Sequence, residues 1–318
     1  MASRSDTSLT ALLLTQRLVD TPAAPLKASE YWTLLDRVRD PAALLGLDSA
    51  AIARTAGVDA PLADRLAELL DAASAFAFRL DEAEQSGLRL IASVDDDYPR
   101  TLVDRLGRGA PPLLYVVGDP VLLRADLLGI VGSRDIGEAE ADVAREAAAD
   151  AVTHGCGVVS GGAKGVDRLA MTAALDAGGS AVGVLADSLV RAARDPEVRR
   201  AVSDERLCLC TPYKPTAGFS IATAMGRNKI IYALSRATLV VAAEAEKGGT
   251  WAGALEALRQ RTAPVVAWTG ADARAGNHLL AERGAASLDA VSGLFPLPEP
   301  DPPPSGGQPH QLALKLQS

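Results

Sequence analysis

The chain has little of the chemistry on which disulfide and metal proteins depend. Its 318 residues include three cysteines and three histidines. An odd and small number of cysteines excludes a disulfide framework. The pair Cys208 and Cys210 lacks the second pair that a zinc site needs. We therefore expect both to be buried strand residues, and we predict neither a metal site nor a bound cofactor.

Long hydrophobic runs are also missing. No stretch approaches the roughly 20 apolar residues that cross a bilayer, and the apolar stretch 9–14 is short and is followed by no cleavage signal. The sequence therefore predicts a cytoplasmic protein without a membrane association.

Positive charge is not in excess, since 32 Lys and Arg stand against 40 Asp and Glu for a net charge of −8. This balance excludes a protein whose whole surface attracts polyanions. It leaves room for a local nucleic-acid site, because the affinity for phosphates depends on where individual lysines and arginines lie.

The motifs of common enzymes are absent as well. The sequence has no Walker loop, no GxGxxG dinucleotide fingerprint, no HExxH and no nucleophile elbow. No nucleophile, base and orienting group can be assembled from it. We therefore predict a binding protein rather than an enzyme.

What is present falls into three parts. Residues 1–85 have helical periodicity and predict a small all-helical domain. In 86–295, apolar runs alternate with helical stretches, which is typical of an α/β domain with a parallel sheet and helices on both faces. The predicted strands are 88–92, Leu113–Val117, 128–131, Gly157–Ser160, 181–185, 207–210, 239–243 and 264–268. The proline-rich segment 296–318 predicts a disordered tail.

Four segments combine small or polar residues with basic ones at strand ends or helix starts. The first follows strand 128–131, the second follows strand Gly157–Ser160, the third is predicted to open a helix, and the fourth follows strand 239–243. Their candidate ligand-binding residues are Gly132, Ser133 and Arg134; Ser160, Gly161, Gly162, Lys164 and Gly165; Arg227, Asn228 and Lys229; and Lys247, Gly248, Gly249 and Thr250, the last as a helix N-cap.

These segments predict one phosphate-binding edge. Backbone N–H groups in glycine turns and at helix N-termini face anions, and the carboxyl ends of parallel strands share one edge of a sheet. We expect Arg227 and Lys164 to be exposed cations. Asp167 is either a helix cap or a functional carboxylate, and Glu244 is either a ligand acceptor or a loop carboxylate without a ligand.

The same segments, in this order, resemble the DNA-processing protein A family. The resemblance covers roughly residues 88–291. Its motifs are Tyr98-Pro99, 111–119, 131–134, 160–167, 227–231, 247–250, Gly276-Asn277-His278 with Leu279-Leu280, and Gly284-Ala285.

The resemblance implies an extended Rossmann-like domain that binds single-stranded DNA, forms homodimers and helps to load a RecA-type recombinase. It places Arg134, Lys164, Arg227 and Lys229, with Lys247, on the DNA backbone. It also implies that the first 85 residues form a domain similar to sterile-alpha-motif domains. Phe219 and Tyr213 lie near the third segment and could stack on bases.

The sequence departs from the family pattern at several points. Met171 stands where the family usually has histidine, Cys210-Thr211-Pro212-Tyr213 replaces a Ser-Glu-x-Pro turn, and residues 186–189 lead into an arginine-rich helix over 191–200. We therefore predict a divergent branch that lacks the C-terminal winged helix and serves DNA uptake, recombination or defence against foreign DNA.

Two other functions stay open. One is a nucleotide-processing enzyme similar to cytokinin-activating phosphoribohydrolases, in which a glutamate closely follows a glycine-threonine turn. Here Gly253 stands at that position and Glu256 comes too late. The other is a sensor that binds a small nucleotide and signals through a partner.

Overall fold

A computed structural model describes residues 4–299 of the chain. Its helices are α1 Asp6–Thr15, α2 Ala28–Val38, α3 Ser49–Ala56, α4 Ala60–Asp71, α5 Ala73–Gln85, α6 Thr101–Leu106, α7 Glu138–Thr153, α8 Val166–Asp176, α9 Leu189–Ala192, α10 Pro196–Ser203, α11 Ile221–Leu234, α12 Gly248–Gln260 and α13 Ala275–Glu282. Short 3-10 turns cover Pro41–Leu44, Gly107–Gly109, Pro120–Arg124 and Val291–Gly293. None of the helices in this part of the chain has the length and apolar character to cross a bilayer.

The strands form one sheet in the order β1-β2-β6-β5-β4-β3-β7-β8-β9. They are β1 Arg89–Ala92, β2 Leu113–Val117, β3 Leu127–Gly132, β4 Gly157–Ser160, β5 Ala181–Val184, β6 Leu207–Thr211, β7 Ala237–Ala242, β8 Val265–Trp268 and β9 Ala286–Leu288. From β6 to β9 all pairings are parallel, whereas β1 and β2 add an antiparallel edge.

All eight predicted strands are present, and the prediction of an α/β sheet with helices on both faces is confirmed. The sequence missed β9 because this strand has three residues, of which only Leu288 is buried. A strand at the sheet edge with one buried side chain gives almost no hydrophobic pattern.

Alternate residues of each strand send their side chains to opposite faces of the sheet. In β6, Cys208 and Cys210 pack on the face covered by α6, α11, α12 and α13. Their neighbours Leu207 and Leu209 pack on the other face, which α7 and α8 cover further along the sheet. Both cysteines are fully buried strand residues, as the sequence predicts.

The amino-terminal helices cover the end of the sheet formed by β1, β2, β5 and β6. Leu12 and Tyr31 share a buried cluster with Leu90 and Tyr115 of these strands. The backbone N–H of Arg17 donates to the Tyr115 hydroxyl at 2.7 Å. The predicted boundary at residue 85 therefore lies where the amino-terminal helices end and the sheet begins. One buried hydrophobic cluster contains residues from both sides of it.

Packing at the other end of the chain continues to Leu297, which is 7% exposed and lies in a buried cluster with Leu294. The first residues of the predicted disordered tail therefore pack on the domain, because Leu297 is buried in an apolar cluster. The rest of that tail, 300–318, lies outside the described residues.

The strand order reverses once, between β3 and β7. After β3 the chain builds β4, β5 and β6 on one side, and α11 then returns it to β7 on the other side of β3. The loops that leave β3 and β7 therefore diverge and open a crevice at the carboxyl ends of these strands. In doubly wound sheets this position is where ligands bind.

Candidate nucleic-acid interface

A cleft of about 660 Å³ occupies the crevice at the strand reversal. One wall is the end of β3 with the loop that follows it, residues 131–135, and the opposite wall is the loop after β7 with the first turn of α12, residues 244 and 247–250. Side chains of α11 close the cleft between them. The fold thus builds this cleft from segments that are far apart in the sequence.

The four predicted segments contribute unequally to the cleft. Gly132, Ser133 and Arg134 line it, as do Arg227 and Asn228 of the third segment and all four residues of the fourth. The second segment contributes Ala163 and Asp167, whereas Lys164 is exposed but lies outside the lining. Lys229 also lies outside it.

Two glycines allow the loops after β3 and β4 to touch. A Cβ on Gly132 would come within 2.5 Å of Val166, and a Cβ on Gly165 would come within 2.4 Å of the Ser133 carbonyl oxygen. The Val166 N–H donates to that same carbonyl at 3.2 Å. These glycines therefore serve the packing of one loop on the other, and they fix the wall that carries Arg134.

Ser160 is a structural residue in this arrangement. It is fully buried, and its hydroxyl donates to the Ile130 carbonyl of the neighbouring strand at 2.6 Å. A ligand in the cleft cannot reach this hydroxyl, so the prediction that Ser160 binds phosphate directly is wrong. The hydroxyl sits on β4, one residue before the turn begins.

The sequence predicted that the third segment opens a helix, and this prediction is wrong. Helix α11 begins at Ile221, where the Ser220 hydroxyl accepts the N–H of Thr223, so that Arg227 and Lys229 lie in its middle. Gly226 lies inside this helix, where glycine is intrinsically unfavourable. Here the Tyr213 hydroxyl packs against Gly226, and a Cβ at that position would come within 2.3 Å of it, so a larger residue would displace the Tyr213 side chain.

Arg227 is buried rather than exposed. Its side chain is 7% exposed, and its Nη1 donates to Asp167 at 3.4 Å. A Cβ on Gly161 would lie 1.3 Å from Nη1, so the guanidinium packs directly on the backbone of the turn after β4. The pair connects α11 on one face of the sheet with α8 on the other.

Asp167 is the buried partner of this pair, which gives it a structural role at the start of α8. Burial raises the pKa of Asp167, and the nearby Arg227 guanidinium and the backbone N–H groups of Ala163 and Gly132 act in the opposite direction. The carboxylate therefore ties the turns after β3 and β4 to the guanidinium.

Exposed cations stand on both walls of the cleft. Arg134 and Lys247 are exposed and form no ion pair with another residue of the described range. The Arg134 guanidinium lies 4.7 Å from the centre of the Phe219 ring. Phe219 is 51% exposed and Ile221 is 79% exposed, so the mouth of the cleft presents apolar side chains beside free positive charge.

Lys229 faces away from this cleft. Its Nζ pairs with Glu256 of α12 at 2.8 Å, and the two side chains line a separate shallow depression between α11 and α12. Asn228 instead donates to the Gly249 carbonyl at 3.2 Å and connects α11 to the fourth segment. Neighbouring residues of one helix thus point to different sites, because each step rotates a side chain by about 100°.

The helix after the fourth segment begins earlier than predicted. Lys247 holds the N-cap position and Gly248 is the first residue of α12, so Thr250 is the third helical residue and not the cap. The sequence favoured Thr250 because threonine is a common N-cap. As a result, the backbone N–H groups of the first turn of α12, which have no partner within the helix, belong to residues that line the cleft. They are available to bind an anion there.

Sequence reasoning missed Arg274, which holds the two walls together. Its Nη2 donates to the Asp135 carbonyl at 2.7 Å and to Glu140 at 3.0 Å, and its Nη1 pairs with Glu244. The hydrogen bond to Glu140 raises the pKa of Arg274. The Glu244 carboxylate therefore already has a partner within the protein, the Arg274 guanidinium.

Asn277 was also missed as a site residue, although it belongs to a motif of the family resemblance. Its Oδ1 accepts the Ala243 N–H at 2.7 Å, and its Nδ2 donates to the Val241 and Trp268 carbonyls, each at 2.9 Å. A Cβ on Gly276 would come within 2.2 Å of the Ala243 oxygen. The Gly-Asn pair thus fixes the end of β7, from which the second wall starts.

Comparisons with known proteins agree with this architecture. The sequence profile of the DNA recombination-mediator protein A family matches residues 89–295. A Mycobacterium tuberculosis protein assigned as DNA processing protein DprA is 32% identical over 219 residues, which are 63% of this chain and 54% of that protein. The chain therefore spans about half the length of the curated relative that it matches.

Two solved structures share the fold. DNA processing protein A from Streptococcus pneumoniae superimposes with a TM-score of 0.57 at 22% identity, over 84% of this chain and 96% of that one. The Helicobacter pylori protein, described for its single-stranded DNA binding mode, gives a TM-score of 0.53 at 20% identity, over 64% and 92%. With a family profile that covers most of its length, the chain belongs to the DNA recombination-mediator protein A family.

Proposed function

We propose that the protein binds single-stranded DNA at the cleft and acts as a recombination mediator without catalysing a reaction. The observation that carries the proposal is that the exposed cations Arg134 and Lys247, which have no ion-pair partner within residues 4–299, lie beside exposed Phe219 and Ile221 at the strand reversal. Family membership supports it, and so does the single-stranded DNA binding mode for which the Helicobacter pylori structure is described.

The chemistry of this cleft suits a single strand better than a duplex. Arg134 and Lys247 would take successive phosphates, one from each wall, and the N–H groups of Gly248 and Gly249 would add uncharged donors. Phe219 would stack on a base, a contact that every base allows. Only an unpaired base can stack on Phe219, which favours a single strand over a duplex. Because every base can stack in this way, we expect binding to be sequence-tolerant.

The other predicted residues take supporting places in the proposed interface. Lys164, exposed beside the cleft, would contact the strand where it leaves. Ser133 and Asn228 would line its path. The residues Ser160, Gly161, Gly162, Gly165, Arg227 and Lys229 would act through the shape of the loops and helices rather than by touching the backbone.

We propose further that a homodimer of the chain works in the cytoplasm and passes the strand to a RecA-type recombinase. This part rests on the family alone. Light scattering would give the molar mass of the assembly in solution. Capture of a recombinase on the immobilised protein from nuclease-treated lysate would support a direct contact, and its loss on nuclease treatment would count against one.

Binding without catalysis agrees with the position of the acidic residues. Glu256, the candidate for a phosphoribohydrolase-type glutamate, lies outside the cleft and pairs with Lys229. The carboxylates of Asp167 and Glu244 are engaged by Arg227 and Arg274. We therefore expect no release of free base when the protein is incubated with nucleoside monophosphates.

Fluorescence anisotropy tests the proposal. A labelled oligothymidine should bind the full chain, and a labelled duplex of equal length should bind more weakly. Three phosphate contacts, by Arg134, Lys247 and Lys164, correspond to a slope of about −2.1 in a plot of log K against log salt for a single strand. Absence of binding at low salt, or a slope near zero, would refute the proposed function.

A further inference from the structure

One guanidinium contacts both walls of the cleft without lining it. Arg274 holds the N-cap position of α13 in the loop after β8, and it is not among the residues that line the cleft. Its side chain is largely buried. Any influence of Arg274 on a bound strand must therefore pass through the residues that it holds.

On the first wall, Arg274 fixes the residue that directly follows Arg134. Its Nη2 donates to the Asp135 carbonyl at 2.7 Å. Its Nε and Nη2 together engage the two carboxylate oxygens of Glu140, at 2.5 and 3.0 Å. Glu140 is buried and also accepts the Gly137 N–H at 2.9 Å. The loop that carries Arg134 is therefore tied to one guanidinium both directly and through Glu140.

On the second wall, the same guanidinium fixes the start of the loop that carries Lys247. Its Nη1 pairs with the Glu244 carboxylate. The Lys247 N–H donates back to the Glu244 carbonyl at 3.4 Å, so that a tight turn connects the paired residue to the cation. Lys247 is therefore attached to Arg274 through one short turn.

The two cations on opposite walls thus share one anchor. Arg134 is next to Asp135 in the chain, and a single turn separates Lys247 from Glu244. Groups that are already correctly spaced lose less conformational freedom on binding than groups on loops that move independently. Once the first phosphate is bound, the second contact forms within the same complex and at a high effective concentration.

Arg274 also changes the charge that a strand meets in the cleft. Glu244 lines the cleft, and its side chain is 61% exposed, so its carboxylate alone would repel a phosphate. The Arg274 guanidinium compensates this charge from outside the lining. A carboxylate in this position is explained if it holds the wall rather than contacting the strand.

We infer that Arg274 is a positioning residue for the strand, which sets the spacing of Arg134 and Lys247 so that both bind phosphates of one strand at once. This role rests on the proposed function and adds the group that makes its contacts simultaneous. It also requires that Glu244 promotes strand binding although it is negatively charged. Charge alone predicts the opposite effect of Glu244.

Glu244→Ala tests this role, because it releases one wall by removing an exposed side chain and should fold normally. Anisotropy with labelled oligothymidine should show binding about tenfold weaker, the order of one charge-assisted hydrogen bond. The salt slope should fall in magnitude by about 0.7, the value for one lost phosphate contact. Unchanged or tighter binding by Glu244→Ala would overturn the role of Arg274.

Glu282→Ala is the control for net charge, because it removes an exposed carboxylate from the end of α13, outside the cleft lining. It should bind the strand as the wild-type protein does or slightly more tightly. A loss of binding equal to that of Glu244→Ala would show that neither effect comes from the wall.

Arg274→Lys separates geometry from charge. It keeps the positive charge but offers one nitrogen to the four acceptors that the guanidinium holds. Its salt slope should fall as in Glu244→Ala, whereas a mere loss of folded protein lowers the number of active molecules and leaves the slope unchanged. A wild-type slope in Arg274→Lys would overturn the role.

Arg236→Lys is the matched control for this variant. Arg236 donates to Asp126 at 3.4 Å and so joins the residues that precede β3 and β7, at the opposite edge of the sheet. It connects the same two strands away from the cleft, and its replacement should leave the slope at the wild-type value. A slope reduced as much as in Arg274→Lys would mean that any link between β3 and β7 has this effect.

The wild-type protein separates this role from the proposed function. No binding of oligothymidine by the wild-type chain would overturn the proposed function, and the role of Arg274 with it. Wild-type binding that Glu244→Ala and Arg274→Lys leave unchanged would overturn the role alone. Without DNA, hydrogen–deuterium exchange in Arg274→Lys should become faster in residues 132–137 and 244–250 together, and unchanged exchange in either loop would contradict the shared anchor.

Discussion

Arg227 shows how far burial can change the role of a single residue. In the sequence it stands among lysine, asparagine and glycine and is typical of a phosphate contact. In the fold it is buried against Gly161 and paired with Asp167. Arginine at this position correctly predicted an anionic partner. That partner is Asp167 rather than a phosphate, because α8 and α11 meet here, and a single sequence does not reveal this contact.

Breaking this pair should cost much of the stability of the protein. Arg227→Ala leaves the Asp167 carboxylate buried without its partner, and we expect the free energy of unfolding to fall by about 3–5 kcal/mol. Urea denaturation followed by tryptophan fluorescence measures the change.

Lys229→Ala is the control for this experiment, since it removes a half-exposed pair from the same helix and should change stability by less than about 1 kcal/mol. If both variants lose the same small amount of stability, the Arg227–Asp167 pair does not brace the sheet edge.

The cations at the mouth of the cleft should behave in the opposite way. Arg134→Ala and Lys247→Ala each remove an exposed charge, so the melting temperature should stay unchanged. Each should weaken single-strand binding and reduce the magnitude of the salt slope by about 0.7, the value for one lost phosphate contact.

Arg79→Ala serves as the reference in the binding assay, because Arg79 is an exposed arginine on α5 whose partner is Glu82 of the same helix. A loss of strand binding in Arg79→Ala equal to that in Arg134→Ala would mean that the assay reports net charge rather than a site.

At the level of elements, strands were easier to predict than helix boundaries. Strands such as β5 and β7 are buried throughout and consist almost entirely of apolar residues, which gives a clear signal in the sequence. The starts of α11 and α12 depend on local capping, and Ser220 with Thr223 forms a capping box that the sequence reading passed over. The error displaced Arg227 and Lys229 from the end of a helix to its middle.

The loops after β3 and β4 act as one element, which glycine substitutions can test. Gly165 has φ +87°, and a Cβ there would meet the Ser133 carbonyl. Gly165→Ala should therefore lower the melting temperature strongly and weaken strand binding, because it pushes away the loop that carries Arg134. Calorimetry and anisotropy measure the two effects.

Gly178→Ala is the matched control for the loop contact. Gly178 has nearly the same φ, +84°, but a Cβ there meets nothing within 4 Å. It should show only the backbone strain of a left-handed conformation. Equal effects of the two substitutions on stability and binding would show that the contact between the loops has no role.

At the scale of the whole molecule, strand order decides which predicted residues meet. The sequence predicted that all four segments share one sheet edge. It contained no information on which of them flank the reversal between β3 and β7, so it did not show that Lys247, after β7, would line the cleft while Lys164, after β4, would not. The topology places Lys247 in the cleft and Lys164 beside it. Long-range order of this kind follows from packing rather than from local pattern.

The amino-terminal helices should be inseparable from the sheet in stability. Their apolar side chains, including Leu12 and Tyr31, pack on Leu90 and Tyr115, so a chain that begins at residue 86 would expose this face. We expect the full chain to unfold in one calorimetric transition and the shortened chain to aggregate or lose cooperative unfolding. Two separate transitions in the full chain, with a soluble and cooperative 86–318 fragment, would show independent domains.

Hydrogen–deuterium exchange with and without saturating oligothymidine tests the central claim most directly, because it maps where a strand lies. Slower exchange should appear in residues 132–137 and 244–252, the two walls of the cleft. Exchange in the helices of residues 28–85 should stay unchanged. Protection confined to those helices, or to the depression between α11 and α12 near Lys229, would contradict the assignment of the cleft as the DNA-binding site.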